Sequence, residues 1–373
     1  MSINISVPSH IEAIPAYPTV KPIEQVAQER GIPAHAVVKL SQNENPLGVS
    51  PKVKAAIIAA LEDCTRYPDA GGFNLKNAIA KAVGVPYAQV VLGNGSNDVL
   101  EMISLAYLQA QDEVVYAQHS FVVYSLATQA RGARAVVVPT VDFGIDVAAT
   151  IAAVNSKTKI VFIANPSNPT GTYLNKEQMA TLLTGVSAKN PHALMVLDEA
   201  YNEFLHPEER TTPAALLATY ANLVITRSLS KAYGLAGLRV GFGLASPAII
   251  DTINKVRQPF NVNILAQAAA IAALGDSEYL QKAYTTNLAG LAQLTEGVTA
   301  LGLGFIPSRG NFVCVRVGAA EKTQKVNALL AEQGIMVRPI GNYGMAEYLR
   351  ISVGTQPENA RLLEVLNSAL AQC

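Results

Sequence analysis

Short apolar runs alternate along much of the chain with longer segments whose apolar positions recur at helical spacing. Val90-Val91-Leu92, Glu113 to Tyr116, Ala135 to Val138, Lys159 to Ala164, Ala193 to Leu197 and Asn222 to Thr226 read as strands. Between and around them, Pro51 to Asp63, Leu75 to Val83, Val99 to Gln109, Phe121 to Arg131, Val147 to Val154 and Glu177 to Ala188 read as helices. Ser50 caps the first of these and Pro51 opens it. Leu238 to Leu244 adds a further strand, and Pro247 to Arg257 a helix. The strands are apolar almost without interruption, so both of their faces are covered. That pattern predicts an α/β unit with a mostly parallel sheet sandwiched by helices. Ligands of such sheets sit beyond the carboxyl ends of the strands, so polar residues just after a strand carry extra weight.

The rhythm breaks at Gln258-Pro259-Phe260-Asn261. A helical zone follows, Ile264 to Leu274 and Glu278 to about Ala300. After it comes a smaller α+β unit with strands at Phe312 to Val315 and Leu349 to Val353. Its helices are Lys322 to Glu332 and Pro357 to Ala371. Residues 1–45 form a proline-rich arm, with a short helix at Ile23 to Glu29, that packs with this second unit. The expected division is 1–45, 46–260 and 261–373.

Composition narrows the chemistry. Lysine plus arginine and aspartate plus glutamate both total 28, so a polyanion such as nucleic acid is not the expected partner. Only 15% of residues are charged and half are hydrophobic, which argues against disorder. Cys64, Cys314 and Cys373 are scattered, and no metal spacing or disulfide framework follows from them. The opening residues lack a signal-peptide pattern, and no apolar run approaches the roughly 18 residues of a membrane span. A cytoplasmic protein is expected.

Candidate chemistry sits at the strand exits. Ser228-Leu229-Ser230-Lys231 is followed by a glycine-rich turn and Arg239. A lysine at the exit of a buried strand is placed to be a desolvated, nucleophilic amine, although a plain surface loop reads almost the same way. Asp198-Glu199-Ala200-Tyr201 puts a carboxylate directly after a buried strand, where it needs a ring nitrogen, a helix terminus or an ion-pair partner. Asn165-Pro166-Ser167-Asn168-Pro169 is a turn with two X-Pro bonds, each a candidate for the cis form. Gly93-Asn94-Gly95-Ser96-Asn97-Asp98 joins a strand to a helix. It fits either an anion site made of free amides or a helix capped by Ser96 or Asn97. Lys39 to Gly48 is a polar, turn-rich insert, either a simple loop or a set of amides lining a cleft. Tyr17 is the aromatic to note in the arm, and packing the arm down is its simplest role.

Together these are the parts that hold pyridoxal 5′-phosphate: an amine for the aldehyde, a carboxylate for the pyridine nitrogen, a phenol and an amide for the ring hydroxyl, and an anion cradle for the phosphate. Asn-Pro-x-Asn-Pro-Thr-Gly, Asp-Glu-Ala-Tyr and Ser-x-Ser-Lys-x-x-x-Leu-Ala-Gly-Leu-Arg resemble the fold-type-I pyridoxal-phosphate aminotransferases, in the histidinol-phosphate aminotransferase branch. The resemblance extends to residues 40–46, 66–69, 93–97 and 348–354, nearly the whole chain. It implies an aspartate-aminotransferase-like fold and a homodimer. It implies that Lys231 attaches to the cofactor and shuttles a proton, and that Asp198 partners the pyridine nitrogen. Tyr201 and Asn168 then serve the ring hydroxyl. Gly95, Ser96, Asn97, Ser228, Ser230 and Arg239 serve the phosphate, and Tyr124 stacks on the ring. Tyr67 reaches the cofactor of the neighbouring subunit. Arg350 and Arg338 bind substrate anions, with Asn311, Tyr17 and Asn45 further along the substrate cleft. One departure stands out: His119-Ser120-Phe121 replaces the family's more usual Pro-Thr-aromatic, which leaves Phe121 and Tyr124 both open as the stacking ring. His119 itself is read as structural.

The implied reaction exchanges an amino group between histidinol phosphate and 2-oxoglutarate/glutamate by a ping-pong route. The same residues fit an aromatic amino acid aminotransferase or a threonine-phosphate decarboxylase. A phosphate-binding regulatory protein built on Gly93–Asp98 is the alternative of another class, and it leaves Lys231, Asp198 and Asn168 without a purpose.

Overall fold

The computed structural model describes residues 5–15 and 19–373. Tyr17 lies outside the described residues. Among them, seven strands form the main sheet, in the order Val90–Gly93, Gly241–Leu244, Leu223–Ser228, Leu194–Asp198, Thr158–Ala164, Glu113–Ala117, Arg134–Val138. All neighbours pair in parallel except Gly241–Leu244, which runs antiparallel to the strands on both its sides. The apolar runs explain the two-sided burial. Val161, Ile163, Met195 and Leu197 enter one core, while Ile160, Phe162, Leu194 and Val196 enter the other. Helices cover each face, so a polar strand residue has little room except at the strand ends.

The second unit carries a four-stranded antiparallel sheet, in the order Arg338–Ile340, Met345–Ser352, Phe312–Arg316, Gly304–Ile306. Helices Ala320–Glu332 and Gln356–Leu370 pack on it around Val313, Val315, Leu349 and Ile351. The arm joins this unit covalently distant but hydrogen-bonded: Val38–Lys39 pairs in parallel with Ile335–Met336. The helix Ile264–Leu274 lies beyond residue 260, yet it packs on Pro51–Ala60 and buries Ala266, Ala269, Ala270 and Ala273 in the core of the main sheet. Small alanines let that helix approach closely.

Two local expectations need correction. The helix Ser96–Tyr107 starts one residue after Gly95 and has no side-chain cap, so neither Ser96 nor Asn97 is the cap. Gly95, at φ 87°, turns the chain sharply enough to leave the first amides uncovered. The strand expected from Leu238 begins only at Gly241. Ala236–Leu238 is a 3-10 turn and Arg239 takes the left-handed conformation at φ 57°, which interrupts the extended chain. Among the described residues, no helix is long and apolar enough to cross a membrane.

Candidate active site

The strand exits converge on one cavity of about 410 Å³ at the carboxyl ends of the main sheet. Ser96, Asn97, Phe121, Tyr124, Asn168, Asp198, Tyr201, Ser228, Ser230, Lys231 and Arg239 line it from the large unit. The second unit contributes Arg338, Tyr343 and Arg350, and the arm contributes Val20 and Ser41 to Glu44.

Asp198 and Glu199 are adjacent, and the alternation of a strand sends them apart. Glu199 is fully buried and takes a two-nitrogen bond from Arg227, at 2.9 Å to Nε and 2.8 Å to Nη2. Asp198 faces the cavity and forms no ion pair among the described residues. Its oxygens accept from the Tyr124 hydroxyl at 2.9 Å and the Thr226 hydroxyl at 3.2 Å. Burial pushes its pKa up, and those two hydrogen bonds pull the other way. A buried carboxylate held only by hydroxyls and a backbone amide lacks a compensating positive charge.

Lys231 donates from Nζ to the Gln42 carbonyl at 2.9 Å. Burial, and next the nearby Arg350 charge, lower its pKa to about 8. At pH 7 roughly a tenth of it is therefore neutral amine, far more than for an ordinary lysine. Tyr201 is buried, and burial pushes its hydroxyl up to about 12, with Arg350 and a hydrogen bond from Asn43 opposing. Asn168 accepts from Arg350 Nη1 at 2.5 Å through its carbonyl oxygen, which leaves its amide nitrogen to donate elsewhere. Both Asn165-Pro166 and Asn168-Pro169 are cis.

At the other end of the cavity the uncovered amides of Ser96 and Asn97 meet Arg239. Arg239 donates to Ser230 Oγ at 3.2 Å and to the Ala236 carbonyl at 3.1 Å. A Cβ at Gly95 would collide with the Arg239 guanidinium, so glycine is needed for this approach as well as for its φ. Ser228 Oγ accepts from the Ser230 amide at 3.1 Å. Helix N-terminus, guanidinium and two hydroxyls together make an anion cradle.

The second unit supplies two more cations. Arg350 sits directly opposite Arg338 in the antiparallel pair of strands, and both line the cavity. Directly opposed positions share one face of the sheet, so the two side chains are neighbours. Arg350 is buried, also donates to the Ser41 carbonyl at 3.1 Å, and lies over the Phe312 ring.

Several residues are placed differently from expectation. The Tyr124 ring is fully buried and stacks on Phe162 at 4.6 Å with an interplanar angle of 3°, and its hydroxyl is spent on Asp198. Phe121 meets Tyr124 edge-on at 5.9 Å and is only half-buried at the cavity wall. Asn45 does not line the cavity: it donates to the Ala232 carbonyl at 2.9 Å and accepts from the Leu47 amide. Asn311 is likewise behind the wall, donating to the Asn43 carbonyl at 3.0 Å. Tyr67 is 82% exposed and stacks on Phe260, away from this chain's cavity. His119 is buried against Phe143. Cavity residues not singled out in the sequence include Gln42, Asn43, Glu44 and Tyr343. The first three fall inside the polar Lys39–Gly48 insert, where Asn43 takes the left-handed conformation at φ 55°, which asparagine tolerates.

Comparison with known proteins adds the following. Residues 35–366 match a family model described as aminotransferase class I and II. Histidinol-phosphate aminotransferase 2 of Ralstonia nicotianae is 51% identical over 366 residues, covering 98% of this chain and 97% of that protein. Histidinol-phosphate aminotransferase of Methylobacillus flagellatus is also 51% identical, covering 97% of each. Among solved structures, histidinol-phosphate aminotransferase from Sinorhizobium meliloti in complex with pyridoxal-5′-phosphate superposes with a TM-score of 0.89 at 28% identity, over 97% of both chains. A Thermus thermophilus aspartate aminotransferase mutant superposes with a TM-score of 0.80 at 22% identity, a likeness of fold.

Proposed function

The chain belongs to the class I and II aminotransferases, and from that premise we propose that it moves the amino group of histidinol phosphate to 2-oxoglutarate with pyridoxal 5′-phosphate as cofactor. One observation carries the reading: the cavity sets a lysine of lowered pKa and a buried carboxylate without a cation between two separate anion sites.

The cavity's residues fit the cofactor. Asp198 lacks a positive partner, and a protonated pyridine nitrogen is one. The cradle of Ser96, Asn97, Ser228, Ser230 and Arg239 suits its phosphate, and Tyr201 and Asn168 suit its ring hydroxyl. Bound there, pyridoxal phosphate supplies an aldehyde that takes up and returns an amino group and a ring that accepts electrons. Phe121 is the better stacking ring, because Tyr124 already has a face on Phe162 and its hydroxyl on Asp198. Lys231 Nζ serves both as nucleophile and as the base that holds and moves a proton.

The Arg338–Arg350 pair suits an anion of each substrate in turn, the phosphate of histidinol phosphate and a carboxylate of 2-oxoglutarate or glutamate. The two half-reactions share one site, hence a ping-pong order. Tyr67 and Phe260 form an exposed aromatic pair away from the cavity, suited to the face of a homodimer in which Tyr67 reaches the partner's cofactor phosphate. The cytoplasm is the natural compartment for such an enzyme with free cysteines. Steady-state assays test the substrate: kcat/KM for histidinol phosphate is expected to exceed that for phenylalanine, and a preference for phenylalanine would move the chain to the aromatic aminotransferases.

A further inference from the structure

Tyr201 is reached from the second unit through two side chains that the substrate and cofactor roles do not use. Asn43 is 1% exposed, and four of its polar groups are engaged. Its amide N–H donates to Ser352 Oγ at 2.8 Å, and its carbonyl accepts from Asn311 Nδ2 at 3.0 Å. Its side chain accepts from Ser352 Oγ through Oδ1 at 3.1 Å and donates from Nδ2 to the Tyr201 hydroxyl at 2.9 Å.

A serine hydroxyl has one proton and two lone pairs. Ser352 Oγ accepts the Asn43 N–H, and among the described residues Asn43 Oδ1 is the acceptor for its proton. That orients the Asn43 amide with its nitrogen toward Tyr201. The Tyr201 oxygen therefore accepts from Asn43, and its own proton points elsewhere. Among the described residues no protein group takes that proton, and Tyr201 lines the cavity. Its ring also packs edge-on to Phe312, which pairs with Ser352 across the second unit's sheet.

We propose that Ser352 and Asn43 form a one-way hydrogen-bond relay that holds Tyr201 as a donor into the cavity, so that Asn43 is a positioning residue and the seating of the second unit sets the direction of Tyr201. The pull of Asn43 against the burial of Tyr201 acts in the same sense. The acceptor is an oxygen atom of the bound ligand. Its identity as the cofactor's ring oxygen rests on the reading above, whereas the relay itself does not.

Two measurements test it. In the cofactor-free protein labelled with 13Cζ-tyrosine, the Tyr201 resonance is identified by its loss in Tyr201→Phe. It is expected to shift in both Asn43→Gly and Ser352→Ala. Glycine suits the left-handed backbone at this position, so the first variant removes the side chain without adding strain. An unmoved resonance in Ser352→Ala overturns the relay, whether or not the protein binds pyridoxal phosphate. In the loaded protein the visible chromophore is titrated with pH. Losing a donor makes the ring oxygen hold its proton more strongly, so the titration moves up by roughly half to one unit, the worth of one hydrogen bond. Asn43→Gly and Tyr201→Phe should each show the shift, and the double variant should show no more than Tyr201→Phe alone. Additive shifts would mean that Asn43 acts on the site by another route and would overturn the proposal.

Discussion

The two walls of the cavity are built in different ways. One wall is made of the carboxyl ends of adjacent parallel strands: Asp198 and Ser228 end theirs, and Asn168 and Lys231 follow within a few residues. Each is fixed by a continuous ladder and an apolar core on both faces. The other wall brings together Gln42 to Glu44, Arg338, Tyr343 and Arg350, which are far apart in the chain. They meet through side-chain hydrogen bonds between distant segments, such as Asn311 to Asn43, Arg350 to Ser41 and Arg350 to Asn168. On the function proposed above, the first wall holds the groups that amino transfer needs, and the second, whose links cross between the two units, holds the groups that meet the substrate's anion.

That contrast can be broken from the chemical side first. Lys231→Ala is expected to lower kcat by about 10⁴-fold or more, because nucleophile and proton carrier are lost together. Single-turnover assays with histidinol phosphate measure it. Asp198→Asn is expected to lower kcat by about a thousandfold, the scale of losing a preorganised charge in a dry site. The same change removes a buried carboxylate without a cation, so the melting temperature of the cofactor-free protein should hold or rise. A fall in both would make Asp198 a structural residue.

The second wall should respond through KM. Arg350→Lys keeps the charge but loses the fork that reaches Asn168 and Ser41, and KM for histidinol phosphate is expected to rise about tenfold to a hundredfold with a smaller change in kcat. Acidity gives a test of similar size on the chemical side. Only the neutral amine of Lys231 attacks an aldehyde, and its lowered pKa of about 8 marks where it loses its proton. The rate at which the cofactor-free protein captures pyridoxal phosphate should therefore rise about tenfold per pH unit below 8 and level off above it. Asn45→Ala is the smallest effect. It frees the bond to Ala232 behind the wall, and a change of a few-fold in kcat/KM is expected.

The same contrast governs what could be read from the sequence. Asp198 and Lys231 were legible because an apolar run ends beside them, and strand ends are where an α/β sheet meets its ligands. Period-two alternation also separates Asp198 from Glu199, once Arg227 on the neighbouring strand is seen to take the second carboxylate. Gly95 announces a turn, but the pattern leaves a side-chain cap and bare amides equally open, because it cannot distinguish the two. Asn43 and Tyr343 were not legible. Their partners lie far away in sequence, and no local period reports a bond between Asn43 and Ser352. Asn45 and Asn311 were expected in the cleft and instead brace it from behind, since a motif places a residue near a site without saying which atoms face it. Tyr124 and Phe121 are equivalent in sequence, because only packing shows one face of Tyr124 stacked on Phe162.

The most direct test of the central claim is the visible spectrum of the protein loaded with pyridoxal phosphate, before and after histidinol phosphate, followed by borohydride reduction of the untreated sample and peptide mass spectrometry. The expected result is a visible absorbance that disappears on adding histidinol phosphate, returns with 2-oxoglutarate, and is fixed by reduction to the peptide containing Lys231. A protein that stays colourless with pyridoxal phosphate, or a spectrum indifferent to histidinol phosphate, would contradict it.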